Sequence, residues 1–355
     1  PRATPWLTER HGYDPTSSDG LEAAKEKIEK DITPEFITTD NITTLKESFL
    51  DEDYDSILIE NSMLALINES DNTFIDQYKV IYEFSIDVET EDIANEVDIT
   101  KDAFNIFVSG IDTYGSVSSV SRSDVNMVIT VNPNTHKVLI TSIPRDYYVT
   151  LASKNAKDKL THAGIYGIEE SVATVENLLN IKINYYVKVN FTSLMDIVDA
   201  LGGVNVYSKY SFTSKDGYYY NQGYNNVDGK KALSFVRERS AFSEGDRTRV
   251  ENQAAMIEAL INKAISPTII TKYTSLLSAL DGSFITNINT EDLTDFIKMQ
   301  IDEMPEWTIE NISLNGSDAF DYTYSYGGTK LYVMLPDNET VINATTKINE
   351  ILKEE

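Results

Sequence analysis

Residues 104–146 read FNIFVSGIDTYGSVSSVSRSDVNMVITVNPNTHKVLITSIPRD, and this stretch decides the fold. Three runs inside it, 104–110, 125–131 and 138–143, are almost continuously apolar. Such runs are typical of strands that are buried on both faces of a sheet. Because each face then needs a covering layer, the stretch predicts an α/β fold: a central mixed β-sheet with helices on both faces.

The remaining sequence supplies the helices and strands that such a domain requires. Helical periodicity predicts helices at 168–179, 191–201, 229–239, 247–265, 269–280, 291–299 and 339–353. Further strands are predicted at 184–190, 204–207, 307–314 and 330–335. The first 98 residues are strongly acidic and mix both patterns, so they predict a smaller α+β accessory domain at 1–98, followed by the main domain at 99–355.

The composition restricts the possible chemistry. The 355 residues carry 57 acidic against 30 basic side chains, a net charge of −27, with three histidines and no cysteine. Disulfides, thiolate zinc sites and cysteine nucleophiles are therefore excluded. The negative charge repels phosphate backbones, so we expect no nucleic-acid partner. No apolar run long enough to span a membrane occurs, and the first residues lack the apolar core of a signal peptide.

Arginine is concentrated in the one part of the chain that is not acidic. Residues 101–255 contain 16 acidic and 17 basic side chains and hold six of the eight arginines. These six are Arg122, Arg145, Arg237, Arg239, Arg247 and Arg249. Because the guanidinium fork grips carboxylate and phosphate oxygens, this segregation favours a single anion-binding site. Ordinary surface ion pairs are the alternative.

Two aspartates are expected at the same end of the sheet. Asp112 follows the first predicted strand, and Asp124 precedes the second. If these strands are antiparallel neighbours, the loop between them returns Asp124 beside Asp112. Two close carboxylates stay ionised only with a cation or arginines between them, and hard oxygen ligands favour Mg²⁺ over zinc. In the alternative, Asp112 caps a loop and Asp124 pairs with Arg122.

The later arginines flank two predicted helices. A helix over 247–265 places Arg249 and Gln253 one turn apart on the same face. Arg237 and Arg239 are expected to close the preceding helix, where cations suit the helix dipole. Four arginines within thirteen positions exceed what local capping requires. A diphosphate would suit both these arginines and the predicted aspartate–metal pair.

Several of these motifs, in this order, resemble the LytR-CpsA-Psr family of bacterial cell-envelope proteins. They are GID at 110–112, RSDVNM at 122–127, IPRD at 143–146, DKLTHA at 158–163, DALGGV at 199–204, and the segment from Ala232 through Arg237, Arg239 and Arg249 to Gln253. The likeness covers about 104–265. The residues before it resemble the accessory domain of streptococcal capsule-assembly members.

The resemblance implies a reaction and a location. Members are anchored in the cell membrane of mainly Gram-positive bacteria and face outward. They move a glycopolymer, of the capsule or teichoic-acid type, from a polyprenyl diphosphate carrier onto peptidoglycan. By this likeness the chain would be an Mg²⁺-dependent phosphotransferase that releases polyprenyl phosphate, with a membrane anchor outside these residues.

The resemblance also assigns roles position by position. Asp112 and Asp124 resemble the aspartates of the Mg²⁺ site. Asp112, Arg145 and Arg239 are predicted to be catalytic, with Asp112 as the base for the incoming hydroxyl. Asn252 departs from the family pattern, so it is given no role in binding the anion. The residues implied to bind the diphosphate are Arg122, Arg145, Arg237, Arg239, Arg249 and Gln253.

Two features and three competing functions stay open. The polyprenyl chain needs an apolar tunnel, although each of its candidate residues suits an ordinary core better. The Tyr-rich segment 208–229 either stacks on sugars or forms a long hairpin. The competing functions are an Mg²⁺-dependent polyprenyl-diphosphate hydrolase, a non-enzymatic polymer-binding protein and a DNA-binding regulator, the last disfavoured by the charge. The tunnel candidates are Leu194, Ile197, Val198, Val250, Ala254 and Ile257.

Overall fold

The computed structural model describes residues 97–115, 117, 121–266, 280, 282–326 and 328–354. In the N-terminal part it describes 5–7, 28, 42–51, 53, 56–59, 64, 67–68, 71 and 73–81. The helix predicted at 269–280 lies outside these residues except for its last position. Residues 82–96, just before the predicted domain boundary, also lie outside them.

The central sheet has six strands in the described part of the chain, numbered here in chain order. They are β1 (Phe104–Ile111), β2 (Ser123–Asn132), β3 (Lys137–Ile143), β4 (Tyr185–Val189), β5 (Ile285–Thr286) and β6 (Thr308–Ser313). Across the sheet the order is β5-β4-β1-β2-β3-β6. The pairs β1–β4 and β3–β6 are parallel, and the other three are antiparallel. The predicted mixed sheet is confirmed.

The helices predicted at 168–179, 191–201, 247–265 and 339–353 are observed within one residue of those bounds, and the one predicted at 291–299 extends to residue 303. One exception affects the site. The described helices of regular α type are α1 (Ile42–Leu50), α2 (Leu160–Ala163), α3 (Ile168–Leu179), α4 (Phe191–Ala200), α5 (Gly229–Arg237), α6 (Asp246–Ala264), α7 (Thr290–Glu303) and α8 (Asn338–Lys353). The exception is α5, which ends at Arg237. The prediction that Arg239 closes this helix is therefore wrong. The cause is Glu238, whose carboxylate accepts hydrogen bonds from the backbone N–H groups of Lys215 (2.6 Å) and Ala241 (2.9 Å) and turns the chain away.

Alternate residues of the long strands serve two different cores, as the pleat requires. Phe107 and Leu139 point into the first core, together with Val175 of α3 and Ile348 of α8. The residues next to Phe107 and Leu139 along the same strands point into the second core. This core includes Ala254 of α6 and has Phe296 of α7 packed against it. Helices therefore cover both faces of the sheet, as predicted. This burial explains why the three strands read as continuous apolar runs.

Several short two-stranded sheets lie outside the central one. Two of them build the Tyr-rich segment, which is thus a pair of hairpins. Tyr220 is buried there and donates a hydrogen bond to the backbone O of Lys231 (2.7 Å), whereas Tyr224 is exposed. The strand Gly316–Asp321, which was not predicted, pairs with Leu331–Pro336. The remaining pairs are Tyr148–Thr150 with Lys157–Lys159 and Pro5–Leu7 with Ser56–Leu58.

The N-terminal part contributes to the first core. Ile67 is buried in it, and so is Phe74, the first residue of the 3₁₀ helix Phe74–Asp76. The Thr43 hydroxyl of α1 donates to the backbone O of Tyr326 (3.4 Å). The division at residue 98 stays a prediction. None of the helices in the described residues combines the length and apolarity that crossing a bilayer would need.

Candidate active site

A buried ion pair lies where β2 begins and β3 ends. Arg145 Nη1 donates to Asp124 Oδ2 (3.0 Å), and Thr161 Oγ1 donates to Asp124 Oδ1 (3.1 Å). The Arg145 and Asp124 side chains are only 16% and 7% exposed. Burial alone would raise the pKa of Asp124, but Arg145 and Arg122 outweigh burial and hold the pKa below its ordinary value. Asp124 is therefore an ionised carboxylate gripped by Arg145, with Arg122 close enough to act through its charge.

Asp112 shares this site, as the antiparallel pairing of β1 and β2 predicts. The two strands pair up to the residue before Asp112. Burial raises the pKa of Asp112, and the charge on Asp124 raises it further. Arg237, Arg145 and Arg249 oppose this rise. The two acids and the arginines from distant parts of the sequence thus lie in one electrostatic environment.

Asp146 and Lys159 support Arg145 from its other side. Arg145 Nε lies 3.5 Å from Asp146 Oδ2, and Lys159 Nζ lies 3.0 Å from Asp146 Oδ1. Gly164 lets this segment approach β2, since a Cβ there would lie 2.6 Å from the backbone O of Ser121. Sequence reasoning assigned no role to Lys159 or to Thr161 nearby. The only signal for them was their place in the DKLTHA motif.

Arg239 and Arg249 share a carboxylate at the start of α6. Arg249 Nη2 lies 2.8 Å from Asp246 Oδ1, and Arg239 Nη1 lies 3.7 Å from the same atom. Burial lowers the pKa of Arg249, and the positive charge of Arg145 lowers it further. This effect on the pKa indicates that the guanidinium groups of Arg145 and Arg249 lie close together.

Arg237, at the end of α5, is held by aromatic rings. Its guanidinium carbon lies 4.4 Å from the centre of the Phe191 ring, and its Nη1 donates to the Tyr114 hydroxyl (3.3 Å). Gly229 at the start of α5 donates its N–H to Asp199 Oδ1 (2.7 Å). A Cβ at Gly229 would lie 2.6 Å from the backbone of α4. The DALGGV motif therefore positions the helix that carries Arg237.

Arg249 and Gln253 lie on the same buried side of α6, as their spacing predicts. Gln253 Nε2 donates a long hydrogen bond to the backbone O of Val236 (3.5 Å). The Asn252 amide donates to the backbone O of Phe235 instead (3.4 Å). Asn252 thus binds α5, in agreement with the sequence prediction, which gives it no role in binding the anion.

A cavity of about 350 Å³ opens beside these charged groups. One wall is apolar and includes Phe191, Leu194, Met256 and Ile257. Of the six predicted tunnel residues only Leu194 and Ile257 line it. The other four do not line this cavity; Val198, for example, is fully buried in packed core. The predicted site residues on the polar wall are Asp112, Asp124, Arg237, Arg239, Arg249 and Gln253.

The Nε atoms of two buried arginines form no hydrogen bond. These are Nε of Arg145 and of Arg249, and neither donates a hydrogen bond to any residue in the described part of the chain, although Arg145 Nε keeps its ion-pair contact of 3.5 Å with Asp146. Buried N–H donors in folded proteins are nearly always satisfied, so an exception calls for a ligand. Both atoms belong to guanidinium groups, which bind phosphate oxygens well. The site is therefore suited to a phosphate-containing anion.

These features define a class: an α/β protein in which a guanidinium cluster and two carboxylates lie against a partly apolar cavity. Residues 67–347 match the profile of the LytR_cpsA_psr family. Because this match spans most of the chain, the protein belongs to that family.

Named relatives and solved structures agree with this membership. The chain is similar to "Polyisoprenyl-teichoic acid--peptidoglycan teichoic acid transferase TagU" of Bacillus anthracis, at 37% identity over 223 residues, 62% of this chain and 73% of the relative. It superposes on B. subtilis TagV with a TM-score of 0.61 and 29% identity, covering 72% of this chain and 99% of TagV. For a structure titled "TagT bound to LI-WTA" the TM-score is 0.57 at 26% identity, covering 73% of this chain and 94% of TagT.

Proposed function

We propose that this protein is a phosphotransferase that moves a glycopolymer from a polyprenyl diphosphate carrier onto peptidoglycan. The observation that carries the proposal is the convergence of Asp112, Asp124, Arg239 and Arg249 on the wall of a partly apolar cavity, with Arg145 bound to Asp124. A lipid diphosphate needs charged groups for its phosphates and an apolar surface for its prenyl chain. The TagU relatives, which are named for polyisoprenyl-teichoic acid transfer to peptidoglycan, and the TagT structure bound to LI-WTA support the same substrate class.

The arginines bind and neutralise the diphosphate. Phosphoryl transfer depends mainly on positioning and on stabilising charge as the bond to the leaving oxygen breaks. The unsatisfied Nε atoms of Arg145 and Arg249 supply two fixed donors for phosphate oxygens. Arg239 is about half exposed and can move to follow the developing charge. The first part of the polyprenyl chain lies against Leu194 and Ile257.

Asp112 accepts the proton of the incoming hydroxyl. Burial and the charge of Asp124 raise its pKa, which favours proton acceptance, whereas Mg²⁺ on the same carboxylate would lower its basicity. The hydroxyl oxygen of a peptidoglycan sugar attacks the phosphorus next to the polymer, and the bond from that phosphorus to the bridging oxygen breaks. Polyprenyl phosphate leaves with that oxygen, and the hydroxyl proton passes to the Asp112 carboxylate. Asp124 stays ionised and holds Arg145 in place.

The donor set of the site fits Mg²⁺ if phosphate completes it. Within the described residues no group of three or more histidine, aspartate or glutamate side chains is arranged to hold a metal ion. Mg²⁺ is usually held by one or two carboxylates plus substrate phosphates and water. Asp112 and Asp124 would supply those carboxylates. Bound Mg²⁺ would neutralise charge on the diphosphate.

The proposal includes a location and leaves a choice of polymer. We also propose that the protein acts at the outer face of the cell membrane of a Gram-positive bacterium, held there by an anchor outside these residues. The named relatives act on teichoic acid, and the accessory part resembles that of capsule-assembly members. Polymers of both types therefore serve as donor substrates in the test below.

Transfer is tested with a synthetic lipid-diphosphate oligosaccharide and peptidoglycan as the acceptor. We expect Mg²⁺-dependent attachment of the oligosaccharide and release of polyprenyl phosphate. Arg249→Ala should abolish the reaction. Arg247→Ala is the matched control, because Arg247 points away toward the backbone O of Gly316 (3.4 Å). A product that is the same with and without peptidoglycan would favour the hydrolase, and full activity of Asp124→Ala would contradict the assigned site.

A further inference from the structure

The hairpin of Val204–Ser208 with Gly223–Val227 presents an uncharged, exposed face. Tyr224 pairs with Tyr207 across it, and Asn226 pairs with Asn205. The alternate valines point inward and are buried in the core next to α6. The two tyrosines and two asparagines therefore share the outer side of the hairpin. We call these four residues the Tyr–Asn face.

The Tyr–Asn face offers both ring surface and free amides. Tyr207 is 49% and Tyr224 72% exposed, and their rings meet edge to face with centroids 5.3 Å apart. The side chains of Asn205 and Asn226 form no hydrogen bond with any residue that the structure describes. An amide without a partner beside exposed rings can bind a ligand without breaking existing contacts.

The chemistry of the face suits a sugar chain. Tyrosine provides rigid, amphipathic contact area at low entropic cost, and asparagine provides adaptable hydrogen bonds. A sugar ring presents C–H groups to an aromatic ring and hydroxyl or acetamido groups to an amide. The face carries no charge in a protein of net charge −27, so it suits an uncharged partner. Nearby Lys209 is paired with Glu251 (3.0 Å) and supplies no free cation.

We propose that the Tyr–Asn face binds the uncharged glycan strand of the peptidoglycan acceptor. This inference rests on the proposed function. An anionic polymer such as teichoic acid is a poorer occupant, because the protein's charge repels it away from the arginine site. The hairpin also continues to that site: Lys215 lines the cavity, and its backbone N–H donates to Glu238 between Arg237 and Arg239.

The distance between the face and the cavity is short enough for one glycan strand to reach both. Lys215 lies eight positions after Tyr207, so the backbone spans at most about 26 Å between them. A strand of several sugars bound on the face would extend to the arginine site. The face would thereby hold the acceptor hydroxyl close to the diphosphate.

Binding of chitopentaose, an uncharged oligomer of N-acetylglucosamine, tests the proposal by titration calorimetry on the whole chain. We expect Tyr224→Ala to weaken binding about tenfold, the effect of losing a central aromatic contact. Phe320→Ala is the matched control, because Phe320 is 67% exposed but lies on another hairpin, and its affinity should match that of the wild type. Circular dichroism checks that each variant is folded.

Arg249→Ala should keep chitopentaose binding while losing transfer, which separates failure of the face from failure of the proposed function. Wild-type affinity in Tyr224→Ala, or no binding by the wild type, would overturn the proposal. So would a loss of affinity in Tyr224→Ala for soluble poly(glycerol phosphate) but not for chitopentaose, since the anionic polymer would then be the occupant.

Discussion

Replacing Arg145 with methionine leaves the Asp124 carboxylate buried without its main partner. The ion pair is short, with 3.0 Å between Arg145 Nη1 and Asp124 Oδ2, and both side chains are largely buried. Breaking such a pair costs about 3–5 kcal/mol. Thr161 still donates to Asp124, and Arg122 remains nearby. We therefore expect the lower end, a loss of about 3 kcal/mol in the free energy of unfolding.

The double variant Asp124→Asn/Arg145→Met separates buried charge from lost packing. It removes both charges and keeps an oxygen to accept the Thr161 hydrogen bond. We expect it to regain about 2 kcal/mol relative to Arg145→Met alone, because the uncompensated buried carboxylate charge is gone. Urea unfolding followed by circular dichroism gives the three free energies. Arg239→Met is the control and should stay within about 0.5 kcal/mol of the wild type, because its ion pair is exposed and long.

The same pair has a defined pH dependence. The pKa of Asp124 is lowered in the folded chain. Its stabilising contribution is therefore complete above the unfolded-chain pKa of about 3.9 and is lost as the pH falls through the lower folded value.

A loss of under about 1 kcal/mol in the free energy of unfolding of Arg145→Met, or no recovery in the double variant, would refute the reasoning about a buried, coupled pair.

Three further outcomes are expected. Arg239→Ala should lower transfer by about 10³-fold while the melting temperature stays unchanged, and a fall in both would mean a structural role. Because burial and the charge of Asp124 raise the pKa of Asp112, its carboxyl should titrate above the ordinary aspartate range without Mg²⁺, and added Mg²⁺ should lower that pKa. Carboxyl titration by NMR checks this, and an ordinary aspartate pKa without Mg²⁺ would contradict it. Gly229→Ala should lower the urea midpoint, because the added Cβ would lie 2.6 Å from the backbone of α4; an unchanged midpoint would show that α4 shifts freely.

The strands and helices were predictable because burial leaves a pattern in the sequence. β1, β2 and β3 are covered on both faces and so read as apolar runs, and α3 was predicted at its observed bounds. The strand Gly316–Asp321 was not predicted, since most of its residues are partly or fully exposed and give no clean apolar alternation. The end of α5 depends on Glu238 and its distant partner Lys215, which local sequence does not contain.

The site was predictable where one residue type carries the chemistry. The concentration of arginine in one part of the sequence and the predicted antiparallel β1–β2 pair indicated that Arg145 and Arg249 lie near the two aspartates, as they do in the fold. Lys159 was missed because a lone lysine has no spacing signal, and its partner Asp146 becomes visible only in three dimensions. The tunnel residues were only partly right, because an apolar helical stripe looks the same whether it faces a cavity or the core.

The central claim is that one site binds a lipid-linked diphosphate through its guanidinium groups. A crystal structure of the protein with geranylgeranyl diphosphate tests it directly. We predict phosphate oxygens within hydrogen-bonding distance of the Nε atoms of Arg145 and Arg249, with the prenyl chain between Leu194 and Ile257. Density for the diphosphate away from these arginines, or a prenyl chain outside the cavity, would contradict the account.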